Sequence, residues 1–285
     1  MTNHLIRDAS AADLDAIAAV AVAAGQDEEW SGSDPAYVRH LLAHGRVVVA
    51  ERDAAVAGFG ATRPIGTGPD PAVMLCDLFV HPRCHGRGLG QAMLAQLWDG
   101  SRRRMTFSSQ HAHALPLYTR AGLDAWWPLL YLAGDMRALA SPAGWAVSTT
   151  AAGQVADLER AWTGIDRAAD HLAWAGRPAG QPVVADLRGD PLAAGTVAGA
   201  GPGYGLVHLA LSPAAGPQQA RDAVLAVLAA LTPPGGRARV CLPAPHPAVR
   251  PLLVAGWRSE YLDYFMATGP GLLDPRRAVP SPALA

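Results

Sequence analysis

The sequence predicts an α/β (α+β) protein made of two tandem copies of one domain, and three observations carry this prediction. The chain has 285 residues, enough for about two domains. A strand-turn-strand pattern ending at Gly58 recurs 137 residues later at Gly195, and a short helix stopped by Gly122 recurs 134 residues later at Gly256. Matching elements in the same order at similar offsets indicate a repeat.

Hydrophobic periodicity sets the elements of the first copy. Leu14, Ile17 and Val20 form one apolar stripe, which predicts a helix over 11–24. The other predicted elements, in order, are a capped strand at 6–10 before that helix, then a hairpin at 47–58, a strand at 73–80, a glycine-rich turn at 81–90, a helix at 91–98, a strand at 105–109 and a short helix at 114–120.

The second copy repeats this order less clearly. Its predicted elements are a strand at 146–150, a helix carrying Val155, Leu158 and Trp162, a hairpin at 182–195, a strand at 205–211, and helices at 220–231 and 248–254. Segment 126–132 is predicted as a strand broken by Pro128 that packs between the copies. The predicted domains are therefore 1–140 and 141–272, followed by a proline-containing tail at 273–285 that is extended or disordered.

Composition excludes several classes of protein. Half of the residues are apolar and only 16% are charged, which excludes global disorder. The net charge is −1 and no lysine is present, so a nucleic-acid partner is not expected. Three cysteines without metal-ligand spacing predict neither a disulfide framework nor a metal site, and favour a cytoplasmic location. No signal peptide or membrane span is expected.

The strongest chemical signal is the glycine-rich turn between a strand and a helix. Closely spaced glycines let the backbone approach a ligand, and amides at a helix N-terminus bind anions such as phosphate. A Walker loop is excluded because it requires lysine. Gly86, Gly88 and Gly90 also lack the spacing of a dinucleotide fingerprint. A turn that binds no ligand stays an alternative at this point.

Two motifs give the sequence a family resemblance. Leu78-Phe79-Val80-His81-Pro82 followed by Gly86-Arg87-Gly88-Leu89-Gly90 resembles the acyl-CoA-binding motif of the GNAT N-acetyltransferase superfamily, although His85 replaces the usual glutamine or arginine. The segment 114–123, which contains Tyr118, resembles the family's second motif. The resemblance covers about 4–138 and, in outline, the rest. It implies two tandem GNAT-like domains, each with a mixed, mostly antiparallel sheet flanked by helices.

The resemblance implies acyl transfer from acyl-CoA, in the first instance acetyl-CoA, to an amine. The pantetheine arm would pair with the strand edge, where a backbone amide near Val80 would polarise the thioester carbonyl. Tyr118 would protonate the leaving thiolate; packing is the alternative role for this residue. The implied cofactor-binding residues are Leu78, Phe79, Val80, His85, Gly86, Arg87, Gly88, Leu89, Gly90, Gln91 and Gln110.

The general base and the acceptor site are less defined. Asp77 lies on the strand beside the cofactor motif, whereas Cys76 next to it points to the opposite face by alternation. His111 and His113 follow the next strand and provide an imidazole base as an alternative, as does a water chain. Glu29 and Trp30 are candidate substrate residues, unless their loop is a solvated helix end.

The second copy lacks the candidate cofactor-binding turn and the candidate catalytic tyrosine of the first. Pro213 and Pro217 remove amide donors from the corresponding turn, and Leu252 stands where Tyr118 stands. This copy is therefore expected to shape the substrate pocket, with a separate ligand near His208 as the alternative.

Three functions stay open from the sequence: an acyl-CoA-dependent N-acyltransferase acting on a small-molecule amine, a transferase whose donor is a pantetheine thioester on an acyl carrier protein, or a non-catalytic acyl-CoA sensor. The expected protein is a monomer or homodimer, with acyl-CoA as co-substrate and no metal.

Overall fold

A computed structural model describes residues 4–25, 35–66, 70–135, 139–200, 203–231 and 236–284. Its helices are α1 Leu14–Ala23, α2 Pro35–His44, α3 Leu89–Leu97, α4 Ala114–Arg120, α5 Ala152–Thr163, α6 Ala168–Ala175, α7 Pro217–Leu231 and α8 Val249–Val254. Its strands are β1 Leu5–Asp8, β2 Arg46–Arg52, β3 Ala55–Ile65, β4 Ala72–Val80, β5 Arg104–Ser108, β6 Asp124–Asp135, β7 Trp145–Thr149, β8 Gln181–Leu187, β9 Asp190–Ala200, β10 Gly203–Leu211, β11 Arg237–Pro243 and β12 Arg258–Ala267.

The chain forms two compact units that are not identical to the two sequence copies. Unit 1 contains Met1–Ala125, Met266–Gly269 and Ala283–Ala285, and unit 2 contains Trp126–Phe265 and Pro270–Pro282. Strand β6, which follows the last helix of the first copy, thus lies almost entirely in unit 2. The predicted domain limits, 1–140 and 141–272, describe the sequence repeat and stay a prediction.

The sheet of unit 1 has the order β1-β2-β3-β4-β5. All of its neighbouring strands are antiparallel except β4 and β5, which are parallel. The first turn after β1 is closed by a capping box, in which Ser10 and Asp13 each bond the other's backbone. Buried apolar side chains from helices and strands form the core, among them Ile17, Phe59 and Met93. The predicted mixed, mostly antiparallel sheet flanked by helices is confirmed.

Strands β4 and β5 diverge toward their C-terminal ends. Their backbone pairing runs only from Val73 to Leu75 on β4, although β4 continues to Val80. The pairing of β4 with β3 skips Cys76, because Leu75 and Asp77 face consecutive residues of β3. This bulge redirects the strand, and the divergence leaves the last residues of β4 with an edge that β5 does not cover.

Unit 2 repeats this arrangement, with the strand order β12-β6-β11-β10-β9-β8-β7. Strands β10 and β11 are parallel, and their pairing stops at Leu206 and Val240. The pairing of β10 with β9 skips Val207, so this bulge matches the bulge at Cys76. The predicted break at Pro128 is wrong, because β6 is continuous and the Pro128 carbonyl accepts a hydrogen bond from the Ala244 amide.

The described part of the C-terminal tail, through Leu284, makes backbone contacts with β10. The Leu209 amide on β10 donates to the Val279 carbonyl at 3.1 Å, and these two residues form an antiparallel bridge. The guanidinium of Arg277 donates to the carbonyl oxygens of Leu211, Ser212 and Pro213. Within unit 2, the tail therefore lies along the end of β10 that β11 leaves uncovered.

Candidate active site

The glycine-rich turn leads from β4 into α3 and exposes its backbone. Gly86 and Gly88 have φ angles of +73° and +80°, in the left-handed region that other residues adopt at a cost. Gly88 is the N-cap of α3, and a Cβ at either glycine would meet only open space. The conformation of the turn therefore favours glycine at these two positions, and the turn faces solvent.

The amides of this turn have the arrangement of an anion site. Within the described ranges, the amides of Gly86, Arg87, Gly88 and the first two residues of α3 donate to no protein acceptor. They precede or begin a helix, so the helix dipole adds positive potential at the same point. A phosphate or pyrophosphate group fits the chemistry of these donors.

Within the described residues, the corresponding turn of unit 2, at 213–217, has no free amide donor. The amides of Ala214, Ala215 and Gly216 donate to Ser212 Oγ, the Ser212 carbonyl and Gln219 Oε1, respectively. Pro213 and Pro217 have no amide hydrogen. The turn is present in unit 2, but its amides already donate hydrogen bonds to protein acceptors.

The structure brings several of the predicted cofactor residues together around Gly90. A Cβ built on Gly90 would lie 3.5 Å from the Leu117 side chain on α4 and within 4.0 Å of the side chains of Val80 and Leu78 on β4. The start of α3, the end of β4 and helix α4 therefore meet at this point. Phe79 faces the other way and packs against Phe59 on β3, with the ring centroids 5.5 Å apart and the rings tilted.

Tyr118 lies on α4 and is buried, with 8% of its surface exposed. Its ring centroid is 6.5 Å from that of Trp98, just after α3. The helix ends at a left-handed Gly122, with a φ angle of +87°. Tyr118 thus extends from α4 toward Trp98 at the end of α3. Its neighbour on the same helix, Leu117, packs beside the glycine turn.

His85 adopts a position that the sequence did not indicate. Its Nε2 lies 2.8 Å from the Val80 carbonyl oxygen, at the end of β4. Its ring centroid lies 6.1 Å from that of His111 and 6.4 Å from that of His113. The structure therefore places His111 beside the glycine turn, with its side chain exposed. Gln91 and Gln110 are exposed at the start of α3 and just after β5.

Asp77 is buried on β4 and is paired with a residue that sequence reasoning missed. The hydroxyl of Tyr37 on α2 donates to Asp77 Oδ2 at 2.7 Å, and it lies 3.3 Å from the carbonyl oxygen of Ala283. Tyr37 belongs to the apolar stripe of α2, and no local pattern singles it out. The predicted substrate residues Glu29 and Trp30 lie outside the described residues.

Comparisons with known proteins agree with this geometry. Residues 43–122 match the family model described as "Acetyltransferase (GNAT) domain". No curated protein sequence matches the chain. Solved structures that resemble it over nearly its full length include the following three. A Pyrococcus horikoshii protein assigned as an acetyltransferase has a TM-score of 0.70 at 13% identity, covering 100% of this chain and 95% of its own.

The other two structures are described as GNAT or GCN5-related N-acetyltransferase proteins. A tandem GNAT protein from the clavulanic acid biosynthesis pathway has a TM-score of 0.60 at 14% identity, with 94% and 100% of the two chains covered. A GCN5-related N-acetyltransferase from Sphaerobacter thermophilus has a TM-score of 0.56 at 16% identity, with 94% and 96% covered.

The diverging sheet and the glycine turn lie within or beside residues 43–122, which match the GNAT domain model. The chain as a whole has the fold of tandem GNAT proteins, and its second copy keeps the sheet and bulge but not the free amides of the turn. Within the described residues, every helix is too short or too polar to cross a membrane.

Proposed function

We propose that this protein is an N-acyltransferase that moves an acyl group from acyl-CoA to an amine of a small molecule. The observation that carries the proposal is the set of amides at 86–90 in unit 1, which are open to an anion, whereas the turn at 213–217 in unit 2 has its amides bonded to the protein or replaced by proline. In this proposal they hold the pyrophosphate, and Gly88 allows the close approach. The uncovered edge of β4 at Leu78–Val80 holds the pantetheine arm.

In the proposed reaction the acceptor nitrogen attacks the thioester carbonyl carbon, so that a C–N bond forms as the C–S bond breaks. A backbone amide at the end of β4 stabilises the oxyanion. The carboxylate of Asp77 takes the proton from the amine, and the Tyr37 hydroxyl fixes its orientation. Tyr118 gives its phenolic proton to the leaving thiolate, which is of similar basicity.

The experiment is a pair of measurements on the full chain. Isothermal titration with acetyl-CoA tests binding, and release of free thiol with a panel of small amines tests transfer. Binding together with amine-dependent thiol release supports the proposal. If acetyl-CoA binds and no amine in a broad panel releases thiol, the protein is an acyl-CoA sensor. Asp77→Asn and His111→Ala then distinguish the two candidate bases, because only loss of the base shifts the pH profile of kcat.

The bond from His85 to Val80 favours one alternative donor. The His85 ring occupies a carbonyl at the strand edge and leaves the pyrophosphate without the long side chain usual in the GNAT motif. A pantetheine thioester on an acyl carrier protein has no adenosine pyrophosphate and needs that side chain less. If acetyl-pantetheine attached to a carrier protein is a much better donor than acetyl-CoA at equal concentration, the donor in the proposal must be changed.

A further inference from the structure

A cluster of potential metal ligands lies inside unit 2, far in sequence from the glycine turn. Glu159 on α5, His171 on α6 and His208 on β10 are buried, and their ligand atoms all lie within 4.8 Å of one another. His171 Nε2 is 2.7 Å from Glu159 Oε2, and His208 Nε2 is 2.9 Å from Glu159 Oε1. The two imidazoles therefore face the two oxygens of one carboxylate.

The position of this cluster in the sheet is informative. His208 follows the bulge at Val207 just as Asp77 follows the bulge at Cys76, so the two residues occupy equivalent places in the two units. In unit 1 that place holds the Asp77–Tyr37 hydrogen bond. Unit 2 instead assembles charged and imidazole groups there. The fold itself does not require such a cluster, and burying it is costly.

Charged side chains lie beside the cluster. Arg167 Nε lies 3.2 Å from Glu159 Oε1, and Arg167 Nη1 lies 3.3 Å from Asp170 Oδ2. All of these side chains are almost fully buried. The three potential ligands are therefore held within a buried network of ionisable side chains.

The second nitrogen of His171 is also held as in metal sites. His171 Nδ1 lies 2.9 Å from Thr196 Oγ1 on β9, so the ring is oriented with Nε2 toward Glu159. Two imidazoles and one carboxylate form a ligand set that suits Zn²⁺. Ligand atoms around Zn²⁺ stand roughly 3.3 Å apart, and the three side chains already have their ligand atoms between 2.7 Å and 4.8 Å apart.

We propose that Glu159, His171 and His208 bind a zinc ion that joins α5, α6 and β10 of unit 2, with water as the fourth ligand. The ion replaces the two imidazole–carboxylate hydrogen bonds, and Thr196 holds the His171 ring in place. The site is independent of acyl transfer in unit 1, so its test needs no substrate.

The experiment uses the untagged full chain, expressed with added Zn²⁺ and then dialysed. Elemental analysis is expected to give one zinc per chain. After chelation and addition of Co²⁺, the strong visible absorption of a four-coordinate Co²⁺ ion is expected, and Zn²⁺ should raise the midpoint of thermal unfolding. Absence of zinc, of the Co²⁺ absorption and of the thermal shift in the wild-type protein overturns the proposal without any variant.

Variants then locate the site. Glu159→Gln keeps the shape of the side chain but should abolish the Co²⁺ absorption, and Thr196→Val should weaken Co²⁺ affinity about 10–100-fold. The exposed histidines near the glycine turn are the competing site, so the double variant His85→Ala, His111→Ala is the control and should keep the full signal. Loss of the signal in that control, with retention in Glu159→Gln, overturns the assignment.

Discussion

Replacing Tyr118 with phenylalanine separates a chemical role from a packing role, because the substitution keeps the ring and removes only the hydroxyl. The residue is buried beside Trp98, so the ring contributes to the core whether or not the hydroxyl reacts. Its place on α4, next to Leu117 and the glycine turn, makes it the proposed donor of the proton to the leaving thiolate.

Tyr118→Phe is expected to lower kcat by about 10²–10⁴-fold, since one positioned proton donor contributes that much. The KM for acetyl-CoA should change little, because the lost interaction belongs to the transition state. The control is Tyr261→Phe, at a tyrosine that is 45% exposed in unit 2. If Tyr118→Phe keeps more than about half of the wild-type kcat while chemistry limits the rate, Tyr118 only packs the helix.

Asp263 gives a prediction about stability that does not depend on activity. Its Oδ2 accepts a hydrogen bond from the Tyr131 hydroxyl at 2.6 Å, and within the described residues its Oδ1 is buried without a partner. Burial raises the pKa of Asp263 to about 6, although the bond from Tyr131 lowers it. The folded state therefore binds the proton more tightly than the unfolded chain, where the pKa is about 3.9.

This difference stabilises the fold below about pH 4 and is lost as the pH rises through about 6. Asp263→Asn removes the titrating charge, so we expect it to be more stable than wild type at pH 8, by about 1–3 kcal/mol. Near pH 4 this advantage should disappear. Denaturant unfolding at both pH values measures it, and an equal difference between variant and wild type at the two values contradicts the prediction.

Among the elements, the glycine turn offers a test with a matched control. Gly88 and Gly100 both have left-handed φ angles, +80° and +72°, and a Cβ at either would meet open space. Gly88→Ala and Gly100→Ala should thus lose similar stability, about 1–2 kcal/mol. Only Gly88→Ala places a methyl group beside the amides of the turn, so only it should weaken acetyl-CoA binding in a titration. Equal effects of the two variants on binding would place the phosphate site elsewhere.

The same elements show what the sequence could predict. The turn at 81–90 and the helix at 114–120 follow from residues close together in the chain, because left-handed glycines and apolar stripes act locally. The partners of buried polar groups could not be predicted this way. Tyr37 is 40 residues from Asp77, and Glu159 is 49 residues from His208. Only the tertiary fold brings these groups together.

The neighbour of β6 was unpredictable for a similar reason. The pattern of β6 predicts a strand but not its neighbour, and β6 pairs with β11, about 100 residues later, in antiparallel register. Pro128 does not break β6, since it lies before the first residue of β6 that pairs with β11. The prolines of the tail likewise do not define its path, which depends on Leu209 and on the carbonyls that Arg277 binds.

For the whole molecule, the two units share one architecture but differ at the place where a thioester donor would lie. In unit 1, β5 does not pair with the end of β4, and this end leads into the free amides of the glycine turn. In unit 2 the equivalent edge is occupied by the tail. Leu209 corresponds to Leu78 by the matching bulges, and it pairs with Val279. The chain end of unit 2 thus lies where the pantetheine arm is proposed to lie in unit 1.

We therefore expect one acetyl-CoA per chain in a titration, rather than two. Two independent features close unit 2: the tail covers its strand edge, and its turn has two prolines and three amides already bonded to protein acceptors. Arg277→Ala should loosen the tail by removing its bonds to three carbonyl oxygens, yet the stoichiometry should stay at one, because the amides remain occupied. A stoichiometry of two in the wild type would show that unit 2 binds the donor despite both features. A rise to two only in Arg277→Ala would show that the tail alone, and not the turn, keeps the second copy empty.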